Sequence, residues 1–212
     1  MNKRVLVIAP HADDEVLGPG GTIVKHVESN DIVNVVIVSN RSNKTHQRGY
    51  AEKAREKLGY KCIYWLDLED EKLDISIRDI IKPLENIYNE TLPDIVYTCH
   101  GGDVNIDHQA VFKASVVVCR PLQKNPPGKF LSYEVPSSTS QGRLASFIPT
   151  VYSELTSNQL KLKTDAFNEY VDEIRDLPNP RNEAGLVNYA IQRGMDCNSD
   201  FAESFMLLYN KL

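Results

Sequence analysis

The sequence has 212 residues, of which 42% are hydrophobic and 25% are charged, and its formal net charge is −5. This length suits one compact domain with a substantial core. The mildly acidic balance argues against nucleic-acid binding, which relies on clustered Lys and Arg side chains. Since no run of about 18 apolar residues is present, we expect no membrane span.

The cysteines and the N-terminus indicate the compartment. Four cysteines are scattered without a C-x-x-C pair, so neither a disulfide framework nor a thiolate zinc site is expected. The N-terminal stretch "MNKRVLVIAPHADDE" does not resemble a signal peptide, because its apolar run meets Asp13 and Asp14 too soon. We therefore expect a cytoplasmic protein.

Short apolar runs alternate with amphipathic ones over the first 135 residues. Five runs predict strands: "RVLVIAP", "IVNVVIVSN", "KCIYWLDL", "DIVYTCH" and "KFLSYEVP". Four stretches between them predict helices: "GGTIVKHVES", "QRGYAEKAREKLG", "ISIRDIIKPLENIYNETLP" and "DHQAVFKASVVVCRP". Gly59 is expected to stop the second helix, Pro83 to kink or break the third, and Asp107 to cap the fourth. This alternation predicts βαβ units and a parallel sheet covered by helices on both faces.

The pattern of predicted elements changes after about residue 150, where the predicted strands end and only helices follow. Three segments predict further helices: "TSNQLKLKTDAFNEYVDEIRDLP" with Ser157 as its cap, "NPRNEAGLVNYAIQRGM", and "DFAESFMLLYNKL". The predicted fold class is therefore α/β, a Rossmann-like three-layer sandwich with a mostly parallel sheet and extra C-terminal helices. We expect a single domain over residues 1–212, with a sheet core at about 1–136 and a helical region at about 150–212. The apolar residues of this region permit a homo-oligomer.

Polar side chains follow four of the predicted strands where each strand ends. In chain order they are His11, Asp13, Asp14 and Glu15; Asn40, Arg41 and Arg48; His100, Asp103, Asn105, Asp107 and His108; and Ser137 with Ser138. In open α/β sheets, ligands bind outside the carboxyl ends of the strands. We therefore predict one functional site at this edge of the sheet, where Asp103 and Ser137 are candidate substrate contacts.

The residue types at this edge favour a metal-dependent hydrolase. Two imidazoles and one carboxylate form an open ligand set for catalytic zinc, which lowers the pKa of a bound water towards ~7. A further carboxylate is needed to carry a proton from that water to the leaving group. The doublet Asp13-Asp14 supplies a carboxylate for each role. The same ligand set suits Fe²⁺.

Two other interpretations of the first cluster are weaker. Negative charge in the first turn of a helix is favoured by ~0.3–1 kcal/mol, which alone would explain Asp-Asp-Glu. The stretch "GPGGT" invites a phosphate-binding loop, but Ile23 stands where the dinucleotide fingerprint needs a third glycine. The coincidence of several polar clusters at matching strand ends favours the metal site.

At "PHADDE" the chain resembles the LmbE-like, or PIG-L-type, zinc-dependent deacetylase family. A second family hallmark is an Asp-His pair after a later strand, here in "HGGDVNIDHQAV", and the similarity runs across most of the chain. The resemblance implies that His11, Asp14 and His108 are the metal ligands and that Asp13 is the general base. It also implies that Arg48 contacts the sugar or phosphate groups of the substrate.

One position departs from this family. Several branches carry a histidine three residues before the metal-binding histidine, where it helps to stabilise the oxyanion, and this chain has Asn105. Three alternatives stay open: Asn105 donates a neutral hydrogen bond, His100 substitutes for the missing histidine, or the metal alone polarises the carbonyl.

The resemblance implies removal of an N-acetyl group from an amino sugar carried on a nucleotide, lipid or surface-glycan precursor. Two alternatives remain at this stage. One is de-N-acylation of a glucosaminyl precursor of a thiol cofactor. The other is a non-catalytic sugar-binding module of the same fold, against which the spare carboxylate of Asp13 argues.

Overall fold

The computed structural model describes residues 2–40 and 44–211, apart from the side chain of Lys44. Its strands are β1 (Arg4–Ala9), β2 (Ile32–Asn40), β3 (Cys62–Glu69), β4 (Ile95–Cys99), β5 (Lys129–Tyr133), β6 (Val151–Glu154) and β7 (Ala202–Asn210). Its α-helices are α1 (Asp14–Leu17), α2 (Gly20–Glu28), α3 (Lys44–Leu58), α4 (Ile77–Thr91), α5 (Ile106–Val118), α6 (Ser157–Phe167) and α7 (Glu183–Cys197). Within the described ranges, no helix combines the length and apolarity needed to cross a bilayer.

The strands form one sheet in the order β3-β2-β1-β4-β5-β7-β6. The first five in this order are parallel, and β7 joins them antiparallel between β5 and β6. The helices α4 and α5 pack together as one layer, while α2, α3, α6 and α7 contact one another as a second layer. The predicted fold class is confirmed.

The sheet reverses its strand order at β1, and this reversal creates the crevice that holds the site. From β1 the chain crosses to β2 on one side, and β4 later pairs on the other side. The residues of β1 from Val5 to Ala9 are at most 1% exposed, because both faces of this central strand are covered. The segments after β1 and β4 must therefore diverge, which leaves a cleft at their carboxyl ends.

Helix boundaries differ from the predictions in ways that local chemistry explains. Gly59 has φ +77° and ends α3, as predicted. Pro83 lies inside α4 without breaking it, since four side chains of that helix are buried and outweigh one missing hydrogen bond. The predicted caps are wrong by one and two residues: Thr156 caps α6 in a capping box with Gln159, and Asn105 caps α5.

The last predicted helix is wrong, because residues 202–210 form β7. The run "FMLLY" is continuous and apolar, and such a run fits a buried strand as well as a helix. Pairing decides between them: β5 presents an unpaired edge, and β7 bonds to β5 on one side and to β6 on the other. The C-terminal region thereby extends the sheet.

A buried ion pair fixes β7 to the start of α2. The Glu203 carboxylate accepts hydrogen bonds from the backbone N–H groups of Gly21 (2.8 Å) and Thr22 (2.7 Å). Lys163 Nζ on α6 donates to Glu203 Oε1 (2.6 Å) and to the carbonyl of Gly18 (2.8 Å). Every charge of the pair is matched within the protein, which is the condition for burying it without large cost.

Gly18 permits the close approach of α1 to β5. A Cβ atom at this position would lie 2.3 Å from Cδ2 of Tyr133, a ring that is fully buried and whose hydroxyl donates to the carbonyl of Ile8 (2.9 Å). The ring cannot move without breaking that hydrogen bond, so only glycine fits here.

We expect Gly18→Ala to lower the free energy of unfolding by about 1–3 kcal/mol, the usual cost of overpacking a core. Gly49→Ala is the matched control, because Gly49 lies in α3 and a Cβ atom added there would meet no other atom within 4 Å among the described residues. That change should raise stability by up to about 1 kcal/mol through helix propensity. Urea unfolding of both variants checks the pair, and equal stabilities would contradict the packing argument.

Candidate metal centre

Three predicted ligands meet in the crevice between β1 and β4. His11 and Asp14 follow β1, and His108 lies in the first turn of α5 after β4. All three side chains are buried, with residue exposures of 6%, 1% and 2%. The topology brings together groups that are 97 positions apart in the sequence, His11 and His108.

The spacing of these groups suits a divalent cation. His11 Nδ1 lies 3.1 Å from Asp14 Oδ2 and 3.3 Å from His108 Nε2, and His108 Nε2 lies 3.2 Å from Asp14 Oδ2. Ligands bound tetrahedrally at the usual zinc distances of about 2.0–2.1 Å are separated from each other by about 3.3 Å. Three donor atoms therefore occupy the corners of one tetrahedral face, and the donor set fits a metal with one open position.

Further carboxylates lie within ion-pair distance of the far nitrogen of each imidazole. His11 Nε2 lies 3.0 Å from Asp70 Oδ1 and 3.4 Å from Asp107 Oδ2, while His108 Nδ1 lies 3.3 Å from Asp103 Oδ2. Carboxylates in this position orient metal-binding histidines and raise their basicity. The sequence analysis did not assign this function to Asp70, although it follows β3 at the same edge and marking the end of that strand would have found it.

These carboxylates govern the protonation of the ligands. Burial by itself would lower the pKa of His11 and of His108, but the neighbouring carboxylates outweigh it; they raise the pKa of His11 well above its usual value and that of His108 to about 9. Burial would raise the pKa of Asp14, yet His108 and His11 hold it well below its usual value. A metal ion must therefore displace protons from the imidazoles, as ligation of neutral histidine requires.

Asp13 stands beside the ligands on a strained turn. Its φ is 122°, a conformation that L-residues rarely adopt and that clusters at functional sites. Its backbone N–H donates to Glu15 Oε2 (3.0 Å), and the Tyr170 hydroxyl donates to the other oxygen of Glu15. Burial raises the pKa of Glu15 to about 7. Tyr170, in the C-terminal region, thus stabilises the turn through Glu15.

Arg181 reaches Asp13 from the segment before α7. Its Nη2 donates to Asp13 Oδ2 and, at 2.9 Å, to Glu173 Oε2, and the Arg181 side chain is 18% exposed. Sequence reasoning did not select this arginine, because it is 168 residues from Asp13. Arg181 lies near the start of the predicted helix "NPRNEAGLVNYAIQRGM", a position that gives no sign of its contact with Asp13.

Asn105 and His100, the two predicted oxyanion donors, have identified partners. Asn105 Oδ1 accepts from the backbone N–H groups of Asp107 (2.9 Å) and His108 (3.4 Å), so it caps α5 at the predicted metal ligand His108. His100 Nε2 lies 3.1 Å from the carbonyl of Ala145, and its ring packs edge-on against Phe147. Stabilisation of the oxyanion by either residue stays a prediction.

The three predicted substrate contacts lie in different surroundings. Arg48 on α3 is partly exposed and bonds both oxygens of Asp67, each at 2.7 Å. Asp103 is buried, and its oxygens accept from Asn105 N–H and from the hydroxyls of Ser138 and Thr139, so the structure surrounds it with protein donors.

Ser137, the remaining candidate, is half-buried with φ 94° and lies on the loop after β5. Its carbonyl accepts from Gln141 Nε2 (2.7 Å). Arg41, noted at the end of β2, lies outside the described residues. The structure thus brings His11, Asp14, Asp103 and His108 into one cluster, and Asp13 lies on the turn next to it.

Comparison with known proteins agrees with this geometry. Residues 6–119 match the family described as PIG-L, GlcNAc-PI de-N-acetylase. The chain is 28% identical to an uncharacterized deacetylase of Escherichia coli K12, YaiS, over 180 residues that cover 80% of this chain and 92% of that protein.

Two solved structures share the fold. An N,N'-diacetylchitobiose deacetylase of Pyrococcus horikoshii superposes with a TM-score of 0.80 at 21% identity, covering 97% of this chain and 84% of that one. GalB of Pseudomonas putida KT2440, a 4-carboxy-2-hydroxymuconate hydratase, superposes with a TM-score of 0.78 at 20% identity, covering 99% and 98%. The fold therefore accommodates more than one reaction. The match over residues 6–119 confirms the resemblance, and the chain belongs to the PIG-L, or LmbE-like, family.

Proposed function

We propose that this protein is a metal-dependent hydrolase that removes the N-acetyl group from an amino sugar in a nucleotide-sugar, glycolipid or surface-glycan precursor. The observation that carries the proposal is the set of three donor atoms at metal-ligand spacing with a second carboxylate, Asp13, on the adjacent turn. A protein that only binds sugar has no use for that second carboxylate. The relatives named as deacetylases support the same reaction class.

His11, Asp14 and His108 would hold the ion, for which zinc and Fe²⁺ are both suitable. The bound ion would polarise the acetamide carbonyl and lower the pKa of a water at its open position. Asp13 takes the proton from the attacking water and returns it to the departing amine, so that one carboxylate serves as base and then as acid. The products are acetate and the free amino sugar.

The surrounding residues keep Asp13 in place during these transfers. Arg181 bonds Oδ2 of Asp13 and so restrains the carboxylate that carries the proton. Asn105 or His100 donates to the developing oxyanion, and Arg48 at the edge of the cleft binds hydroxyl or phosphate groups of the substrate. Asp103 positions His108 through its Nδ1 atom.

The test of the function is turnover. The metal-loaded protein is incubated with N-acetylated sugars, nucleotide-sugars and N-acetylglucosaminyl-malate, and free amine is measured. Release of amine from the sugars supports the proposal, and preference for the malate conjugate would favour the thiol-cofactor alternative. Binding of sugars without any release would identify a non-catalytic module.

The ligand set predicts the metal content of variants. We expect His108→Ala to lose the ion that the wild-type protein retains through dialysis, because two ligands cannot replace three. The control is His26→Gln, since His26 pairs with Asp31 and Tyr97 away from the ligand set and glutamine can replace both hydrogen bonds. Elemental analysis compares the two, and an unchanged ion content in His108→Ala would refute the assignment.

Asp13→Asn tests the proton-transfer role of Asp13 independently of metal binding. The amide is nearly isosteric but accepts no proton, so we expect kcat to fall by about 10²–10⁴-fold. The ion content should stay at the wild-type level, because Asp13 is not among the ligands. Initial rates and elemental analysis are measured on one preparation. A variant that turns over at the wild-type rate contradicts the base assignment.

Arg181→Met tests whether the arginine orients the base. Without the guanidinium the carboxylate can rotate, and we expect kcat to fall by about 10–100-fold with a smaller change in KM. Arg175→Met is the control, because Arg175 approaches Glu173 at 3.7 Å but is about half exposed and is not bonded to Asp13. Partial recovery of Arg181→Ala activity by added guanidinium would distinguish orientation from a folding defect. Equal rates for both methionine variants would contradict the role.

A further inference from the structure

A small cavity opens beside His11 on the side away from α5. It is lined by Ala12, Ser39, Asn40, Gln47 and Trp65 together with His11, and we call it the amide cavity. Its volume is about 10 Å³, roughly the room that one water-sized group needs. It therefore admits only a small polar group at the edge of a ligand whose reacting group lies at the candidate metal centre.

Two buried hydrogen-bond acceptors in this cavity lack donors. Asn40 and Gln47 are each 5% exposed, and neither Asn40 Oδ1 nor Gln47 Oε1 has a hydrogen-bond partner in the part of the chain that the structure describes. A buried polar group left unpaired costs about 1–3 kcal/mol, so native proteins satisfy such groups with water or a ligand. The amide cavity is thus built to receive donors.

The orientation of both amides is fixed by carboxylates. Asn40 Nδ2 donates to Asp67, and Gln47 Nε2 lies 3.5 Å from Glu173 Oε1. A carboxylate only accepts hydrogen bonds, so the NH₂ group of each amide must face it. Turning either amide by half a rotation would place its oxygen against a carboxylate oxygen, and two acceptors repel each other. The oxygens are therefore the groups left to bind a ligand.

Trp65 forms a fixed apolar wall of the same cavity. The Arg48 guanidinium lies 4.9 Å from the centroid of the indole ring and also bonds Asp67. This cation–π contact covers one face of the ring and restrains it. Asp67 bonds both Arg48 and Asn40, and Arg48 lies over the Trp65 ring. These contacts fix the position of the Trp65 ring relative to the Asn40 amide.

We propose that the amide cavity is a hydroxyl-recognition subsite, in which Asn40 Oδ1 and Gln47 Oε1 accept hydrogen bonds from a hydroxyl-bearing edge of the sugar. This proposal rests on the proposed function. Neutral amide oxygens suit uncharged donors, and the hydroxyls of a sugar supply them. An acyl methyl group in the cavity would leave both oxygens unpaired, so the acetyl group lies elsewhere.

The subsite is tested with N-acetylglucosamine and its monodeoxy analogues, each lacking one hydroxyl. We expect one analogue to show a kcat/KM about tenfold lower than the parent sugar in the wild-type enzyme, the effect of one hydrogen bond lost to a buried acceptor. In Gln47→Met, which keeps the length of the side chain but removes the acceptor, the parent should fall to the level of that analogue. Gln192→Met, on the exposed face of α7, should keep the wild-type ratio.

Binding to the metal-free protein, followed by ligand-observed NMR, keeps this result separate from catalysis. If the parent sugar is deacetylated but all analogues react equally in every variant, the subsite is refuted while the hydrolase stands. If nothing is deacetylated and one analogue still binds more weakly in a Gln47-dependent manner, the subsite stands and the hydrolase fails. Thermal unfolding checks that Gln47→Met is folded, and Asn40→Ser provides a second variant with the same expected loss of discrimination.

Discussion

The concentration of charge at the switch point between β1 and β4 is the constraint on which the rest of the structure depends. Five carboxylates and two imidazoles are buried there: Asp13, Asp14, Glu15, Asp103, Asp107, His11 and His108. Burying an uncompensated ion costs several kcal/mol, so each of these groups needs a partner. The imidazoles lie between carboxylates, Arg181 matches Asp13, and a bound cation would neutralise the ligand set further. The cleft therefore balances its own buried charges and is also the candidate reaction site.

The C-terminal region supplies much of that compensation. Tyr170 and Arg181 hold the turn at Glu15 and Asp13, and Glu203 with Lys163 secures the start of α2 directly behind it. These contacts explain why the chain continues past a complete parallel core. The strained backbone of Asp13 persists because it is fixed from both ends of the sequence. In the amide cavity, carboxylates likewise fix the polar groups: Asp67 orients Asn40, and Glu173 orients Gln47.

The sequence predicted those features that a local pattern of apolar and polar residues specifies. Continuous apolar runs identified β1 and β2, because strands buried on both faces are mostly apolar. Shorter apolar runs identified the other three parallel strands, and polar residues at strand ends predicted the ligands at one edge. The same reasoning failed for β7, whose apolar run fits two periodicities, and for the cap of α5, where Asn105 and not Asp107 satisfies the N–H groups. It also passed over Asp70, which the end of β3 would have indicated, and Arg181, whose neighbours in the sequence carry no signal of the partner that it meets.

By itself the sequence determined the fold class, the residue types at the candidate metal centre and the presence of a second carboxylate next to Asp14. Those features follow from local order: which residues end a strand, and which neighbours they have. Only the tertiary structure decided which charges pair across the cleft, that the last segment extends the sheet, and that two amide oxygens in one cavity have no donor among the described residues. Such facts depend on distances between residues far apart in the chain, and packing sets those distances.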